Sequence, residues 1–258
     1  MGGPDRTRRD GIDALAAVLR KRAPLLRLLA DAPRDQRDLR DELGVSRSTV
    51  YKSIRELTER GIVTDRNGAY DLTGFGRLAW QRHNEYAARL GRLDAGRRLI
   101  ETLPDGRRFP PTLFERGRII APGRHAPERP LERLEAVGDR ADHIRAVSPS
   151  GLPRFLADLH EDVDDGVRTA TIVIEADALA RLRDTYDRFP EAVATDGLEM
   201  RRIDNELRFA FVLFDDAEIG LFGYDDGVLI GAVFSTDDDA LAWGARLFDR
   251  FGDRSVEI

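Results

Sequence analysis

The sequence predicts an α/β protein in two parts: a small helical unit closed by a β-hairpin, then a larger domain built on a mixed sheet. Three observations predict it. Short amphipathic stretches precede an Asn67-Gly68 hairpin signal. Strand-like apolar runs alternate with helical ones beyond residue 110, then follow one another directly. The charge is divided, with a net of +6 over residues 1–93 and −12 over residues 94–258. The expected boundaries are 12–73 for the first domain, 74–110 for a linking helix and linker, and 111–258 for the second.

Ile12, Leu15, Val18 and Leu19 fall at helical spacing and predict a helix over residues 12–20. Pro24 suits the first position of the next helix, with Leu25, Leu28 and Leu29 on one face. "DAPRD" breaks that helix, and "DQRDLRDEL" forms a short third one anchored by Leu39 and Leu43. Gly44-Val45 makes the turn, Ser46 caps a fourth helix running to about Arg60, and Gly61 closes it. "GIVTDRNGAYDLT" then reads as two short strands around Asn67-Gly68. A single helix is expected over residues 74–103, where Phe75, Leu78, Ala79, Tyr86, Leu90 and Leu93 make a stripe suited to a homodimer seam. "PDGRRFPPT" ends it and marks the domain boundary.

In the second part, "GRIIAP", "HIRAVSP" and "RTATIVIE" read as buried strands, followed by helices over 131–140, 152–163 and 176–189. That βαβαβα alternation predicts a parallel sheet. "LEMRRID", "LRFAFVLFD", "EIGLFGYD" and "VLIGAVFST" are expected to extend it as an antiparallel meander. Gly220, Gly223, Gly227 and Gly231 fall there, at bends or close backbone contacts. "DDDALAWGARLFDRF" closes the chain as an aspartate-capped helix with Leu241, Ala245 and Phe248 facing the core.

Composition narrows the function. Cysteine is absent, which excludes disulfides and thiolate metal sites and suits a cytoplasmic protein. No apolar run is long enough to span a bilayer, and the arginines near the start precede no secretory core, so no membrane partner is expected. A GxxxxGK[ST] phosphate loop and a strand–GxGxxG–helix unit are both lacking. The parallel-sheet pattern is similar to the phospholipase D type, whose chemistry needs a histidine and a lysine two apart, yet no lysine lies beyond Lys52. "HEDVDD" at 160–165 reads as a charged helix surface rather than a metal site. No enzymatic activity, cofactor or metal is expected.

The short polar head of the fourth helix carries the functional signal. Val50, Ile54 and Leu57 fix its core side, which leaves Arg47, Ser48, Tyr51, Lys52 and Arg55 on the opposite face. These groups suit a DNA groove: arginine and lysine for guanine edges or phosphates, serine for either, tyrosine for phosphate or sugar. Ser46, which also caps the helix, is expected among the DNA contacts with them, and Arg66 and Asn67 at the hairpin tip suit a wing along the phosphates. Two helices, a tight turn and a hairpin make the winged helix-turn-helix order, so double-stranded DNA is the expected partner.

The stretch from "RAPLLRLLADAPRDQRDLRDELGVSRSTVYKSIRELTERGIVTDRNGAYDLTGFGRL" resembles the N-terminal domain of archaeal winged-helix transcription regulators. "VSPSGLPRFLADLHEDV" and "FVLFDDAEIGLFGYDDGVLIGAVFSTDDDALAWGARLFDRF" resemble the C-terminal domain that accompanies it in haloarchaeal regulators, a domain related to the sensor domain of a methanogenesis regulator. The two lysines and the excess of aspartate over glutamate are similar to salt-adapted haloarchaeal proteins. The resemblance implies a transcription factor and carries no known ligand. In an open parallel sheet, ligands sit beyond the carboxyl ends of strands. Arg124, Ser148 and Ser150 are accordingly the expected contacts for a small-molecule effector, with a domain that only assembles the protein as the alternative.

Overall fold

In a computed structural model the chain is described over residues 4–104 and 109–258. It divides into two units, Met1–Arg89 and Leu90–Ile258. The division falls inside the 74–110 segment expected to link the domains, and residues 105–108 of its "PDGRRFPPT" stretch lie outside the described residues.

Ahead of the long helix described next, most of which also belongs to it, the first unit holds four helices and a hairpin: α1 (Pro4–Lys21), α2 (Ala23–Asp31), α3 (Gln36–Leu43), α4 (Arg47–Glu59), β1 (Val63–Arg66) and β2 (Ala69–Leu72). α1 extends well before the expected residue 12, because the polar residues ahead of Ile12 continue the helix without an apolar rhythm to betray it. Leu26, Leu29, Leu39 and Leu57 are fully buried in the core, with Val50 and Ile54 beside them. Burying a leucine in this way stabilises the fold by about 1.5–3 kcal/mol. α4 ends with Gly61 at φ 69, the left-handed residue that lets Ile62 N donate to Leu57 O at 2.9 Å. Asn67 and Gly68 take φ values of 58 and 88, the tight turn that their pairing predicts. Arg34 exchanges backbone hydrogen bonds with Tyr70 at 3.0 and 2.8 Å, so the "DAPRD" breaker also lends one residue to the hairpin's edge.

The long helix expected over 74–103 is broken. α5 (Gly74–Ala95) stops at Gly96, and α6 (Arg97–Glu101) begins after it. At the break the backbone of Gly96 passes close to Ile119, whose Cδ1 would stand 2.6 Å from a Cβ at residue 96. Within the chain α5 packs through another face, with Ala79 and Leu93 of the stripe half-buried. Gly76 and Trp80 are buried, whereas Phe75, Leu78, Tyr86 and Leu90 are exposed along the stripe read from the sequence.

The second unit contains α7 (Pro111–Glu115), β3 (Arg118–Ile120), α8 (Arg129–Gly138), β4 (His143–Ser148), α9 (Pro153–Asp164), β5 (Thr169–Glu175), α10 (Ala176–Thr185), α11 (Phe189–Ala194), β6 (Leu198–Ile203), β7 (Phe209–Phe214), β8 (Glu218–Asp225), β9 (Val228–Ser235), α12 (Asp238–Gly252) and β10 (Val256–Glu257). Eight strands form one mixed sheet in the order β10-β6-β5-β4-β7-β8-β9-β3. The α/β class and mixed sheet are those expected, with three corrections. β3 does not join the parallel set; it pairs antiparallel with β9 at the far edge. β6 does not start the meander; it lies parallel to β5, because helical segments connect the two and a crossover returns the chain in the same direction. The helix expected over 176–189 is two, α10 and α11, separated around Tyr186-Asp187.

Alternation along the strands makes two cores. Ile144, Ile172, Val212 and Phe222 face α8, α9 and α10, while Val147, Val173, Phe211 and Leu221 face α12. Trp243, Leu247, Phe248 and Phe251 fill the second core, so the buried stripe of α12 includes Phe248 but is shifted from the expected Leu241 and Ala245, which are only half-buried. At Gly223 a β-bulge interrupts the β8–β9 register, and a Cβ there would collide with Thr102 Oγ1 and stand 2.6 Å from Leu99 Cδ1. The described residues contain no helix long and apolar enough to cross a membrane.

Candidate nucleic-acid interface and C-terminal cleft

α4 presents a polar face because its apolar positions are spent on the core. Val50, Ser53, Ile54 and Leu57 are buried, and Ser53 meets its need by donating to Thr49 O at 2.8 Å. Arg47, Ser48, Tyr51, Lys52 and Arg55 are all exposed, so the structure keeps the five predicted groups together on one face. Ser46 has a different task. Its Oγ accepts from Thr49 N at 3.2 Å and lies 2.9 and 2.8 Å from the Ser48 and Thr49 hydroxyls, which commits it to the cap. Arg55 is held by Glu59, with Nε 2.7 Å from Oε1, and this carboxylate raises the guanidinium's already high pKa. At the hairpin tip Arg66 is exposed and stands 3.8 Å from the buried Asp71, which also receives Arg77 at 3.0 Å. Asn67 is exposed in the turn itself. Asp65 Oδ1 accepts from Gly68 N at 2.8 Å and closes that turn from within.

The face is braced from behind. Glu56 receives Arg22 through Nε at 2.8 Å and a terminal nitrogen at 2.6 Å, with Lys21 at 3.5 Å. The hydrogen bond from Arg22 holds the Glu56 carboxyl below its usual range, against a smaller opposing effect of burial. This two-pronged contact ties the α1–α2 corner to α4. Sequence reasoning missed it, because a contact across 34 positions has no local signature.

The three residues expected at the strand ends do not come together. β7, β8 and β9 separate β3 from β4 in the sheet, so Arg124, exposed in a turn closed by Gly123 and Ala126, lies away from the serines. Ser148 and Ser150 are half-buried neighbours, with Ser148 Oγ donating to Ser150 O at 2.8 Å. Ser150 does not cap α9: Leu152 holds that position and Pro153 opens the helix. Glu175 is occupied structurally, accepting from Leu207 N at 2.8 Å. His160 is buried, its two ring nitrogens 2.8 Å from Tyr186 Oη and 2.9 Å from Thr195 Oγ1, so it is part of the interior and not of a metal-binding surface.

Ser148 and Ser150 instead line one end of a cleft of about 220 Å³ over β4, between α8 and α9. Its floor is Ile144 and Ala146 of β4 with Ala210 and Val212 of β7. Leu131 and Leu134 wall it on one side, Phe155 and Leu159 on the other. Tyr224 closes the serine end; burial raises the pKa of its hydroxyl, and a hydrogen bond with Ser150 opposes that shift more weakly. At the opposite end Arg168 is buried, with Nε 3.0 Å from Asp162 Oδ2 and a terminal nitrogen donating to Gly138 O.

Residues 127–254 match the family described as the methanogenesis regulatory protein FilR1, middle domain. Residues 9–95 match the HVO_A0261 N-terminal domain family. The methanogenesis regulatory protein FilR1 of Methanothrix harundinacea (strain 6Ac) is 25% identical, over 87% of this chain and 53% of that protein. The chain therefore spans about half the length of the curated relative it matches. Among solved structures, TrmBL2, an archaeal chromatin protein, aligns over 95% of this chain and 99% of its own at 14% identity, with a TM-score of 0.44. Nuc from Salmonella typhimurium, a phospholipase D family member, aligns over 55% and 97% at 12% identity, with a TM-score of 0.42.

Proposed function

We propose that the chain is an archaeal transcription regulator that binds specific duplex DNA through α4 and the hairpin. The observation that carries this reading is the exposed cluster of Arg47, Ser48, Tyr51 and Lys52 at the start of α4, with a tight basic turn in the same unit. In a helix-turn-helix, those positions are the ones that meet base edges. The matches to a methanogenesis regulator support the assignment to transcription. A homodimer held in part by the exposed stripe of α5 pairs two such helices on two half-sites. The cleft over β4 is where a small molecule controls the protein, and the chain carries out no chemistry of its own: beyond Lys52 it has no lysine to complete a phosphodiesterase pair.

Selection of duplex sequences by the full chain tests the DNA assignment. Enrichment of one palindromic or repeated motif, lost in Arg47→Ala, is the expected result. Equal affinity for all duplexes would replace this reading with general chromosomal coating. Mapping genomic sites with and without residues 111–258 then tests the division of labour: the truncated chain keeps its motif and loses its response to growth conditions.

A further inference from the structure

We propose that the cleft between α8 and α9 takes an uncharged, mainly aliphatic molecule of roughly ten non-hydrogen atoms with one polar end, which lies at Ser148, Ser150 and Tyr224. This deepens the reading of the second unit as one that binds a small molecule, and rests on it. The size follows from the volume: a cavity of about 150 Å³ holds a benzene-sized molecule, and this one measures about 220 Å³. The shape follows from the strand. From Ile144 to Ser148 the floor runs roughly 13 Å along β4 at the usual rise per residue.

The chemistry follows from which side chains are satisfied. Leu131, Leu134, Phe155 and Leu159 are only half-buried, although all four turn toward the same space. Alanines at 146 and 210 leave the floor low between Ile144, Ile172, Val212 and Phe222. An apolar occupant completes this core. A charged one does not, because an ion removed from water needs a partner, and apart from the exposed Asp139 the ions here are already paired. Arg168 is ion-paired with Asp162 and donates to the Gly138 carbonyl, although its buried Nε makes no hydrogen bond. Glu135 is held by Arg154 at 2.8 Å, and Asp158 lies 3.9 Å from the same arginine. The Ser148 and Tyr224 hydroxyls are already bonded to Ser150, but a hydroxyl oxygen has two lone pairs, so they can still accept from a neutral donor, at one end only. The Glu135–Arg154 pair joins α8 to α9 across the cleft. A cavity of about 220 Å³ is too small for a docking helix about 10 Å across with its side chains, so a small molecule is the occupant and not a segment of protein.

Calorimetric titration of the full chain with 1-octanol, octanoate and octylamine tests the class. Saturable binding of 1-octanol at one site, about tenfold or more tighter than either charged homologue, is expected from the cost of burying a charge. Ala146→Phe fills the floor and should abolish it. Leu134→Trp narrows the wall from a half-buried position and carries the same test if the first variant does not fold. Octanoate or octylamine binding as tightly as the alcohol overturns the assigned class. Unaltered 1-octanol binding in a folded filling variant overturns the site, and so does the lack of any binding by the wild type. Operator affinity measured in the same samples separates this from the control of DNA binding. If 1-octanol binds in the cleft and operator affinity stays constant, the inference stands and the regulatory reading falls. If only a charged homologue binds and shifts operator affinity, the reverse holds.

Discussion

Arg47 and Arg66 are both exposed cations, but they begin from different states. Arg66 stands 3.8 Å from Asp71, so DNA must displace a carboxylate before it gains a phosphate contact. Arg47 sits in the first turn of α4, where a fork of two N–H groups can read a guanine edge. Arg47→Ala is expected to cost about 1–3 kcal/mol on the preferred sequence and to relax one base position. Arg66→Ala should weaken all sequences alike and by less. Titrations on operator and scrambled duplex at several salt concentrations decide between these roles; an equal loss on both for Arg47→Ala would make it a phosphate clamp. Ser46 belongs to a separate class. Its hydroxyl is consumed by the cap, so Ser46→Ala should lower stability by about 1 kcal/mol, read as a reduced thermal midpoint, with little change in the base preference of the folded protein.

At the level of elements, the corner joined by Arg22 and Glu56 gives α4 its support. Glu56 has a lowered folded-state pKa, so its ion pair contributes fully above the unfolded value near 4.5 and is lost as pH falls through the folded one. Glu56→Gln should therefore lower the unfolding midpoint at pH 7 and converge with the wild type in acid; a constant gap across the range would show that packing, and not charge, holds the corner. The exposed stripe of α5 supports a second expectation: Leu90→Asp should halve the mass seen by light scattering if that helix forms the dimer seam. The stripe itself was legible in the sequence at Phe75, Leu78, Tyr86 and Leu90, and so were the caps and turns at Ser46, Gly61 and Asn67-Gly68. These are local signals, fixed by a few neighbouring residues. What the sequence hid is non-local. β3 and β6 have apolar patterns that suit either direction, and only the connection and the partner strand decide. At Gly96 the broken helix passes close to Ile119, a neighbour distant in sequence, and the separation of Arg124 from the serines depends on three strands inserted between them.

On the scale of the whole chain, the division of charge sets how binding responds to salt. The second unit contains all of residues 94–258, and their net charge of −12 repels polyanions, in keeping with the first unit as the proposed nucleic-acid surface. At about 1 M salt the screening length falls to roughly 3 Å, which removes long-range attraction and leaves short-range contacts to supply affinity. The ratio of operator to random-sequence affinity is thus expected to rise as salt rises, while absolute affinity falls. A ratio independent of salt would indicate that phosphate contacts dominate on both kinds of DNA.

β7 is buried along its whole length, Phe209 to Phe214, with neighbours on both edges and both faces. While the chain is being made, β4 emerges long before β7, and β7 is completed before β8. For that interval the run "FAFVLF" is an uncharged strand of high β-propensity with open edges, the composition that stacks with copies of itself. Arg208 on one side and Asp215-Asp216 on the other bracket it with charge. In the native state Arg208 is exposed and only 3.6 Å from Glu206, a surface pair worth little to stability. Arg208→Leu should then leave the unfolding midpoint nearly constant and yet reduce the fraction recovered on dilution from urea, with turbidity rising steeply with chain concentration. That outcome would make the arginine beside this strand a residue that acts on the unfinished protein, as a gatekeeper against self-association.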